Sequence, residues 1–497
     1  MFKGNVFFYL VCILSTIAAY FINVGNNVAI SVIITVVGIA TSAFDLKKGC
    51  VFFFIMALAF SDFTFEGVLD SDTDTAASFG GIYMSNLGGG TIMVFWAIIN
   101  LGLIFLKKGS WAIRKLKSIK MFAVLIISFF VSLIGFAYNI TTPGNSVVQT
   151  AFSDVRIYVN LFLGFLTLLL IVKEGKDLLK YFNAFILILM TQIIIVIVSS
   201  YNVSQVKTVY AFFSGTETYL IGIAMLYCLF LLKKQKDNFT APVSKAVLLS
   251  GLFVIILFLF IVPSRGRIIA LSFSLLLYLI YSKKWQYAII APVFIVLAIY
   301  VVQIINPNFY NYFLFKIATF NPDADNADSS KIRYIEAANI LGELFSNPYY
   351  FVFGKGFGGY FGTEFMSYRQ ISLGVGSYSP AWVAEGRFYK PHGTWLFLLL
   401  KNGFVMACAF YFYAFNALIK GWSFFKKAPQ SMYKVIGLSV VFIMPYVSII
   451  MFSSKLQIMF GMLVGFAFLA VHFTSLDIQK RLNQSVNEFS NDPDADN

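Results

Sequence analysis

Two arginines, Arg265 and Arg267, stand between apolar runs that are each long enough to cross a lipid bilayer. They belong to "IVPSRGRIIA", residues 261–270, in which Ser264 is a suitable N-cap for the helix that follows. A helix N-terminus attracts anions through its free N–H groups and its dipole, and guanidinium groups bind phosphate oxygens in pairs. The two arginines therefore indicate a phosphate site. The alternative is that both reach lipid headgroups or pair with a carboxylate such as Asp154.

Further cationic side chains follow in the long polar segment 304–403. Arg333 stands on a predicted helix, where it either binds an anion or pairs with Glu336 or Glu343. That helix, "SSKIRYIEAANILGELFSNP", is expected to be capped by Ser329 or Ser330 and to end before Pro348. For Arg369 a structural role is expected. Arg387 is a stronger candidate for a functional role because it precedes a histidine by five residues.

His392 opens the stretch "HGTWLFLLLKNGFV" and is one of two histidines in the chain. A histidine can act as a general base near neutral pH, and the alternative is a hydrogen-bonded histidine at the membrane interface. The other histidine, His472, is expected to have no special role. Lys401, with the Asn and Gly after it, interrupts the apolar run, which predicts a half-helix at 393–401 before a true span. Lys401 either lines a polar cavity or reaches the interface.

The glycine cluster "GKGFGG" superficially resembles a nucleotide-binding loop. It lacks the Gly-Lys-Ser/Thr ending and is not placed between a strand and a helix. A flexible or tightly turning loop is the better interpretation. Lys355 in this cluster and Tyr389 near the histidine are additional candidates for lining a polar cavity, together with Lys401.

The elements that must position these residues are membrane spans. The chain of 497 residues is 59% hydrophobic and 12% charged, with a mean hydropathy of +0.80, whereas soluble chains are about 45–50% apolar and about 25% charged. The fold class predicted is an all-α polytopic membrane protein with about 14 (12–14) transmembrane helices. They are expected at 5–23, 27–44, 49–61, 90–107, 121–138, 156–172, 181–199, 217–232, 246–262, 266–282, 285–303, 404–419, 435–452 and 456–473.

The lysines and arginines predict the orientation. Most of the 37 lie in loops that follow even-numbered spans, such as Lys47 and Lys48 after the second and a run from Lys107 to Lys120 after the fourth. Short loops rich in Lys and Arg lie in the cytoplasm, so both termini are expected there. The net charge of +14 is explained in this way, without nucleic acid.

The domain organisation follows from these spans. Residues 1–303 form the N-terminal transmembrane helices, and 304–403 form a large structured periplasmic or extracellular loop with short helices. Residues 404–473 form the C-terminal helices, and 474–497 are expected to be a disordered cytoplasmic tail. The four cysteines fall in or beside apolar runs and are expected to be small core residues.

Three stretches carry a family resemblance: "PSRGRIIAL" opening a helix, then "IRYIEAANILGELFSNPYYFVFGKGFGGYF", then "PHGTWLFLLLKNGFV". With these stretches in this order, residues 263 to about 405 resemble the bacterial O-antigen polymerase and ligase superfamily of polyprenyl-linked sugar-transfer enzymes. It departs from the family in having Gly393 where Asn is common and in having no acidic residue near Lys401. The choice between polymerase and ligase therefore stays open.

The resemblance implies a fold like that of GT-C-type membrane glycosyltransferases, in the bacterial inner membrane, with the active site on the periplasmic side. The substrates would be undecaprenyl-pyrophosphate-linked oligosaccharides, as donor and as acceptor, and no cofactor or metal is expected. Arg265, Arg267, Arg333 and Arg387 would bind the pyrophosphate. His392 and Arg267 would be catalytic, with His392 orienting or deprotonating the acceptor hydroxyl.

A polysaccharide polymerase for O-antigen or capsule is the function predicted. One alternative is an O-antigen ligase that transfers the glycan to the lipid A core. An alternative of another class is a flippase for the same lipid-linked oligosaccharide, which would place cations along a central cavity rather than at one face. The partners considered are membrane lipids and, for a polymerase, a chain-length regulator and a flippase.

Overall fold

Long apolar runs form helices along nearly all of the chain that is described. The computed structural model describes residues 5–24, 27–60, 86–87, 90–139, 146–201, 220–236, 244–261, 265–283, 286, 300, 303, 328–367, 378, 380–391, 393–450 and 457–490. The helices in order are α1 (Val6–Val24), α2 (Val28–Phe44), α3 (Leu46–Ala59), α4 (Ile92–Lys117), α5 (Lys120–Asn139), α6 (Ser146–Ile171), α7 (Gly175–Tyr201), α8 (Ile221–Lys236), α9 (Lys245–Ile261), α10 (Arg265–Ser282), α11 (Asp328–Ser346), α12 (Pro348–Phe353), α13 (Pro380–Glu385), α14 (Thr394–Lys427), α15 (Met432–Ile450) and α16 (Gln457–Ser490).

Strands are confined to one short hairpin in the described residues. There β1 (Asn86–Leu87) pairs antiparallel with β2 (Gly90–Thr91), directly before α4.

Six of the described helices are long and apolar enough to cross a membrane, namely α4, α5, α6, α7, α14 and α16. Shorter apolar stretches lie in α1, α2, α8, α9, α10 and α15. The prediction of a membrane-embedded helical protein is thereby confirmed. The count of about 14 spans stays a prediction, because the predicted span 285–303 falls almost wholly outside the described residues.

Three helix boundaries differ from those expected by ten residues or more. Helix α4 continues to Lys117, ten residues past its predicted end, so most of the basic run expected to form a loop is helical. Helix α6 begins at Ser146, ten residues before the predicted start, because the polar residues there pack against protein rather than forming a loop. Asp154 consequently lies inside a helix. Helix α16 continues to Ser490, so the tail expected to be disordered is helical over 474–490. Leu, Gln, Lys and Arg in that stretch favour a helix even where no apolar face is needed.

The centre of the bundle is the close pair α6 and α16. A Cβ on Gly164 of α6 would collide with the main-chain carbonyl of Ile458, and one on Gly461 of α16 would collide with that of Leu161. Small residues let helix backbones approach closely in lipid, where van der Waals packing replaces the hydrophobic effect between helices. The glycines therefore set the distance between the two central helices.

The basic turns of the sequence gather at one end of this bundle. Lys107 donates to the carbonyl of Ala43 at the end of α2, and Lys115 lies over a ring of α16. Lys180 lies 4.2 Å from the ring centroid of Phe8, close to the start of α1. The turns α2/α3, α4/α5 and α6/α7 are therefore near one another, together with the first turn of α1.

The same end also holds the turn between α14 and α15. Gly175 at the start of α7 touches the Tyr433 side chain, whose ring lies 5.6 Å from that of Phe473 on α16. At the end of α10, the Tyr281 ring lies 5.3 Å from Nζ of Lys233 and 6.1 Å from the ring of Trp422, which is close to the end of α14. We call this part of the molecule, formed by the α2/α3, α4/α5, α6/α7 and α14/α15 turns, the basic end. The grouping of these basic turns at one end agrees with the prediction that the loops after even-numbered spans lie on one side of a membrane.

Replacing Gly461 by Ala tests the close packing of α6 and α16. The added methyl meets backbone rather than a side chain that could move, so the free energy of unfolding is expected to fall by about 1–3 kcal/mol. Thermal unfolding of the purified protein in detergent measures the change. Gly102→Ala is the matched control, because a Cβ there meets nothing within 4 Å. Equal melting temperatures for the two variants would contradict the packing.

Candidate functional site

The site begins at a break in helix α14. Gly403 has φ +79° and ψ 172°, values that an L-residue rarely adopts, and a Cβ there would lie 2.5 Å from the carbonyl oxygen of Val352. The helix is thus divided after Asn402, which confirms the predicted half-helix before a separate span. A helix that stops leaves carbonyl groups of its last turn without helical partners, and at membrane depth these need partners from protein.

The glycine loop, residues 354–359, supplies those partners. The N–H of Lys355 donates to the carbonyl of Leu400 at 2.7 Å, and the N–H of Gly356 donates to that of Lys401 at 3.0 Å. Gly354, Gly356 and Gly358 all have positive φ angles near +70°. The prediction of a tightly turning loop is confirmed.

Helix α5 holds the other side of the glycine loop. The side-chain amide of Asn139 donates to the carbonyls of Lys355 and Phe357, at 2.6 and 3.0 Å. The N–H of Phe357 donates to the carbonyl of Ser132 at 3.0 Å. A Cβ on Gly356 would lie 2.5 Å from Cα of Gly135, so loop and helix are in backbone contact. The loop is fixed from both sides.

A buried ion pair lies beneath the loop. Nζ of Lys401 is 2.8 Å from Oδ2 of Asp154, with both side chains almost completely buried. The same ammonium donates to the carbonyl of Gly359 at 2.6 Å, and the same carboxylate oxygen accepts from the N–H of Gly358 at 3.0 Å. Burying an unpaired charge costs several kcal/mol, so each charge here requires the other. The pair joins α14, α6 and the glycine loop.

Asn402 extends this polar contact to a third helix. Its amide nitrogen donates to the Tyr158 hydroxyl at 2.8 Å, and its oxygen accepts from the Ser132 hydroxyl at 2.8 Å. All three residues are buried. Helices α5, α6 and α14 are therefore held in register at the break.

Near the ion pair, two reciprocal backbone hydrogen bonds bring cationic side chains and aromatic rings together. Phe361 and Phe388 each donate an N–H to the other's carbonyl at 3.0 Å, and both rings are buried. Neighbouring residues in extended segments point to the opposite face. Tyr360 is thereby brought within 4.8 Å of the Arg387 guanidinium and 5.7 Å of the Tyr389 ring.

Lys355 of the glycine loop completes this group. Its Nζ lies 5.1 Å from the Tyr360 ring centroid and 5.2 Å from that of Tyr350. It also pairs with Glu343 of α11 at 2.5 Å, both side chains being slightly exposed. The Trp382 ring of α13 lies 5.5 Å from the Tyr389 ring. We call the set Lys355, Tyr360, Trp382, Arg387 and Tyr389 the cation–tyrosine cluster.

The Tyr389 hydroxyl lies between opposite charges. It donates to Oε2 of Glu385 at 3.2 Å. Burial raises the pKa of Tyr389 above its usual value and the Glu385 carboxylate adds to this, while Arg387 acts in the opposite direction. The hydroxyl therefore stays protonated at neutral pH, with its single proton donated to Glu385.

Four of the residues predicted for the site are brought together by the fold. Lys355, Arg387 and Tyr389 belong to the cation–tyrosine cluster, and Lys401 lies beneath it in the ion pair. Lys401 is therefore buried against Asp154 and does not reach the membrane interface.

The other predicted residues lie apart or outside the described part. Arg333 is exposed on α11, where Glu336 accepts from the Tyr378 hydroxyl and Glu343 pairs with Lys355. His392 and Arg369 are outside the described residues, as is Ser264.

Arg265 begins helix α10, as predicted, although the side chains of Arg265 and Arg267 are not described. Because the other end of α10 lies at the basic end, Arg265 starts at the same end of the bundle as the cluster.

Helix α11 confirms the helix expected in this segment, with one difference. It begins at Asp328, so Ser329 and Ser330 lie within its first turn and are not its caps. It ends at Ser346. Pro348 then opens α12, with the Asn347 side chain accepting from the N–H of Tyr349 at 2.9 Å.

Sequence reasoning missed the importance of Tyr360, Trp382 and Asp154. An aromatic residue beside a glycine cluster carries no signal of its own, because the bridge that places Tyr360 on Arg387 is a tertiary contact. Asp154 did carry a signal. An acidic residue within an apolar helix has to be paired, but the helix start was predicted two residues too late to include it.

The arrangement suits binding of an anionic sugar derivative. Arg387 and Lys355 offer cationic groups beside the partly exposed ring of Tyr360. The cations suit phosphate oxygens, and the ring suits a sugar. In the described part of the chain, no three His, Cys, Asp or Glu side chains come together in a way that could hold a metal ion.

The fold and site define a helical membrane protein in which a buried ion pair supports a cation–tyrosine cluster at the end of the bundle opposite the basic end. Comparisons with protein-family models, curated proteins and solved structures found no match for this chain. Its functional assignment therefore rests on its own residues.

The ion pair can be tested by a double-mutant cycle. Lys401→Met leaves Asp154 charged and buried, and is expected to lower the free energy of unfolding by about 3–5 kcal/mol. Adding Asp154→Asn removes the second charge but keeps an oxygen for the Gly358 N–H, so the double variant is expected to recover part of the loss. Denaturant unfolding in detergent measures Lys401→Met, Asp154→Asn and the double variant.

The control for this cycle is Lys176→Met. Lys176 pairs with Glu174 at 2.8 Å, but both side chains are more than half exposed, so the expected change is below about 1 kcal/mol. Two results would contradict a structural role for the ion pair. One is a loss of unfolding free energy in Lys401→Met no larger than in the control, and the other is additive losses for the two site substitutions.

Proposed function

We propose that this chain is a polysaccharide polymerase of the O-antigen or capsule type. It would transfer a glycan from undecaprenyl pyrophosphate to the acceptor sugar of another lipid-linked repeat unit, at the outer face of a bacterial inner membrane. The single observation that carries the proposal is the convergence of Lys355, Arg387, Tyr360 and Tyr389 at the end opposite the basic end.

The sidedness of the charges supports an outer-face site. If the basic end lies in the cytoplasm, as the positive-inside rule predicts, the cation–tyrosine cluster lies at the outer surface. The positive-inside rule bears most directly on Arg265 and Arg267, because short outer loops normally carry few cations and the connection between α9 and α10 is short. A pyrophosphate presented in the outer leaflet would account for these two arginines.

The chemistry assigned to the cluster is electrostatic. Arg387, with Arg265 and Arg267 at the start of α10, would hold the pyrophosphate and stabilise the charge that develops as it leaves. In this proposal cationic side chains perform that role without a metal. Tyr360, which is partly exposed, would stack on a sugar ring, and the buried Tyr389 would support it from behind at 5.7 Å. Arg333 would contact the donor from its exposed position on α11.

The bond changes follow from the proposed substrates. The acceptor hydroxyl oxygen attacks the anomeric carbon of the donor glycan, and the bond from that carbon to the pyrophosphate oxygen breaks. His392 takes the hydroxyl proton, and undecaprenyl pyrophosphate leaves with the electron pair.

The proposed function is tested by glycan ladder length on gels. Cells lacking the gene are complemented with wild type, Arg387→Ala, Arg267→Ala or His392→Ala, with membrane expression checked for each. Loss of a charge-stabilising group is expected to reduce polymerisation by about 10²-fold or more, leaving single repeat units on the lipid carrier. Arg114→Ala, an exposed arginine at the basic end, is the matched control and should give a normal ladder.

Other results would identify other activities. Long polymer stranded on the carrier in the deletion strain would mean a ligase. Single units trapped in the cytoplasmic leaflet would mean a flippase. Normal ladders from all three site variants would overturn the assignment of the residues.

A further inference from the structure

A separate cavity opens at the basic end, far along α14 from the cation–tyrosine cluster. It has a volume of about 320 Å³ and lies between the α4/α5 turn and helices α14, α15 and α16. That volume is at the lower limit of the range typical of ligand sites, about 300–1,000 Å³. The proposed function makes no use of it.

Small side chains on two facing helices create the space. Ala414, Ala417 and Gly421 line it from one face of α14, and Val464 and Ala467 line it from α16. The three residues of α14 are spaced three and four apart, so they share one side of that helix. The lining is mostly apolar, as required for a hydrocarbon chain.

Three lysines surround the cavity. Lys120 and Lys420 line it directly, and Nζ of Lys120 lies 5.7 Å from the ring centroid of Tyr413, another lining residue. Nζ of Lys115 lies 5.8 Å from the Phe468 ring, which also lines the cavity. None of these lysines forms an ion pair within the described residues. An apolar interior with unpaired cations beside it is complementary to a lipid with an anionic headgroup.

We propose that this cavity binds an anionic phospholipid of the membrane leaflet at the basic end. An acyl chain lies against Ala417 and the facing residues of α16, and the phosphate interacts with Lys120 and Lys420. Basic pockets between transmembrane helices on the cytoplasmic side bind anionic headgroups by the same combination of charge and apolar contact. The proposal is independent of the polymerase assignment, because it uses none of the residues of that site.

The test is native mass spectrometry of the purified protein in detergent, titrated with phosphatidylglycerol or with phosphatidylcholine of the same acyl chains. Wild type is expected to bind phosphatidylglycerol at least about tenfold more tightly, since the lysines act on its net charge. Lys120→Gln with Lys420→Gln should abolish this preference. Ala417→Trp should fill the cavity and reduce binding of both lipids.

Lys47→Gln with Lys426→Gln is the matched control. It removes two exposed lysines of the basic end that do not line the cavity, and should leave the preference intact. Equal binding of the two lipids by wild type would overturn the proposal, as would an equal loss in the control. Displacement of phosphatidylglycerol by substoichiometric undecaprenyl phosphate would identify a polyprenyl lipid as the occupant and would equally overturn it.

Discussion

A lysine that is fully buried among membrane helices has to be neutralised where it lies, and this constraint on Lys401 organises the half of the molecule opposite the basic end. Its ammonium is paired with Asp154 of α6 and bonded to the carbonyl of Gly359. Because removal of either charge leaves the other unpaired in a low-dielectric interior, α6, α14 and the glycine loop hold one relative position. The residues above them are thereby given a rigid support.

The break at Gly403 and the glycine loop depend on each other for a related reason. The break leaves carbonyls that protein groups must satisfy at membrane depth, and the N–H groups of Lys355 and Gly356 do so. The loop can approach closely enough only because glycines occupy its contacts with α5 and α14. From this fixed base the chain continues to Tyr360, whose position next to Arg387 is set by the Phe361–Phe388 bridge. Such preorganisation suits a site that stabilises developing charge without moving.

The two ends of the bundle differ in how their cations are held. At the end opposite the basic end, Lys401 and Lys355 are paired with carboxylates and surrounded by protein. At the basic end Lys115, Lys120 and Lys180 lie over aromatic rings, and the cavity beside Lys120 is lined mostly by apolar residues. Buried and paired cations serve a defined geometry, whereas exposed cations beside apolar surface serve attraction to anionic headgroups. The same residue type therefore has two physical roles in one chain.

The sequence by itself determined the membrane class, most helix positions, the break at Gly403 and the grouping of basic turns, since apolar run length, glycine and lysine placement are local signals. It also singled out Arg387, Tyr389, Lys355 and Lys401, but as separate candidates. Only the tertiary structure decided that Lys401 pairs with Asp154 and that Tyr360 joins the cluster. Those contacts link segments more than a hundred residues apart or depend on a single backbone bridge, and no local pattern records which distant side chains the packing of helices will bring together.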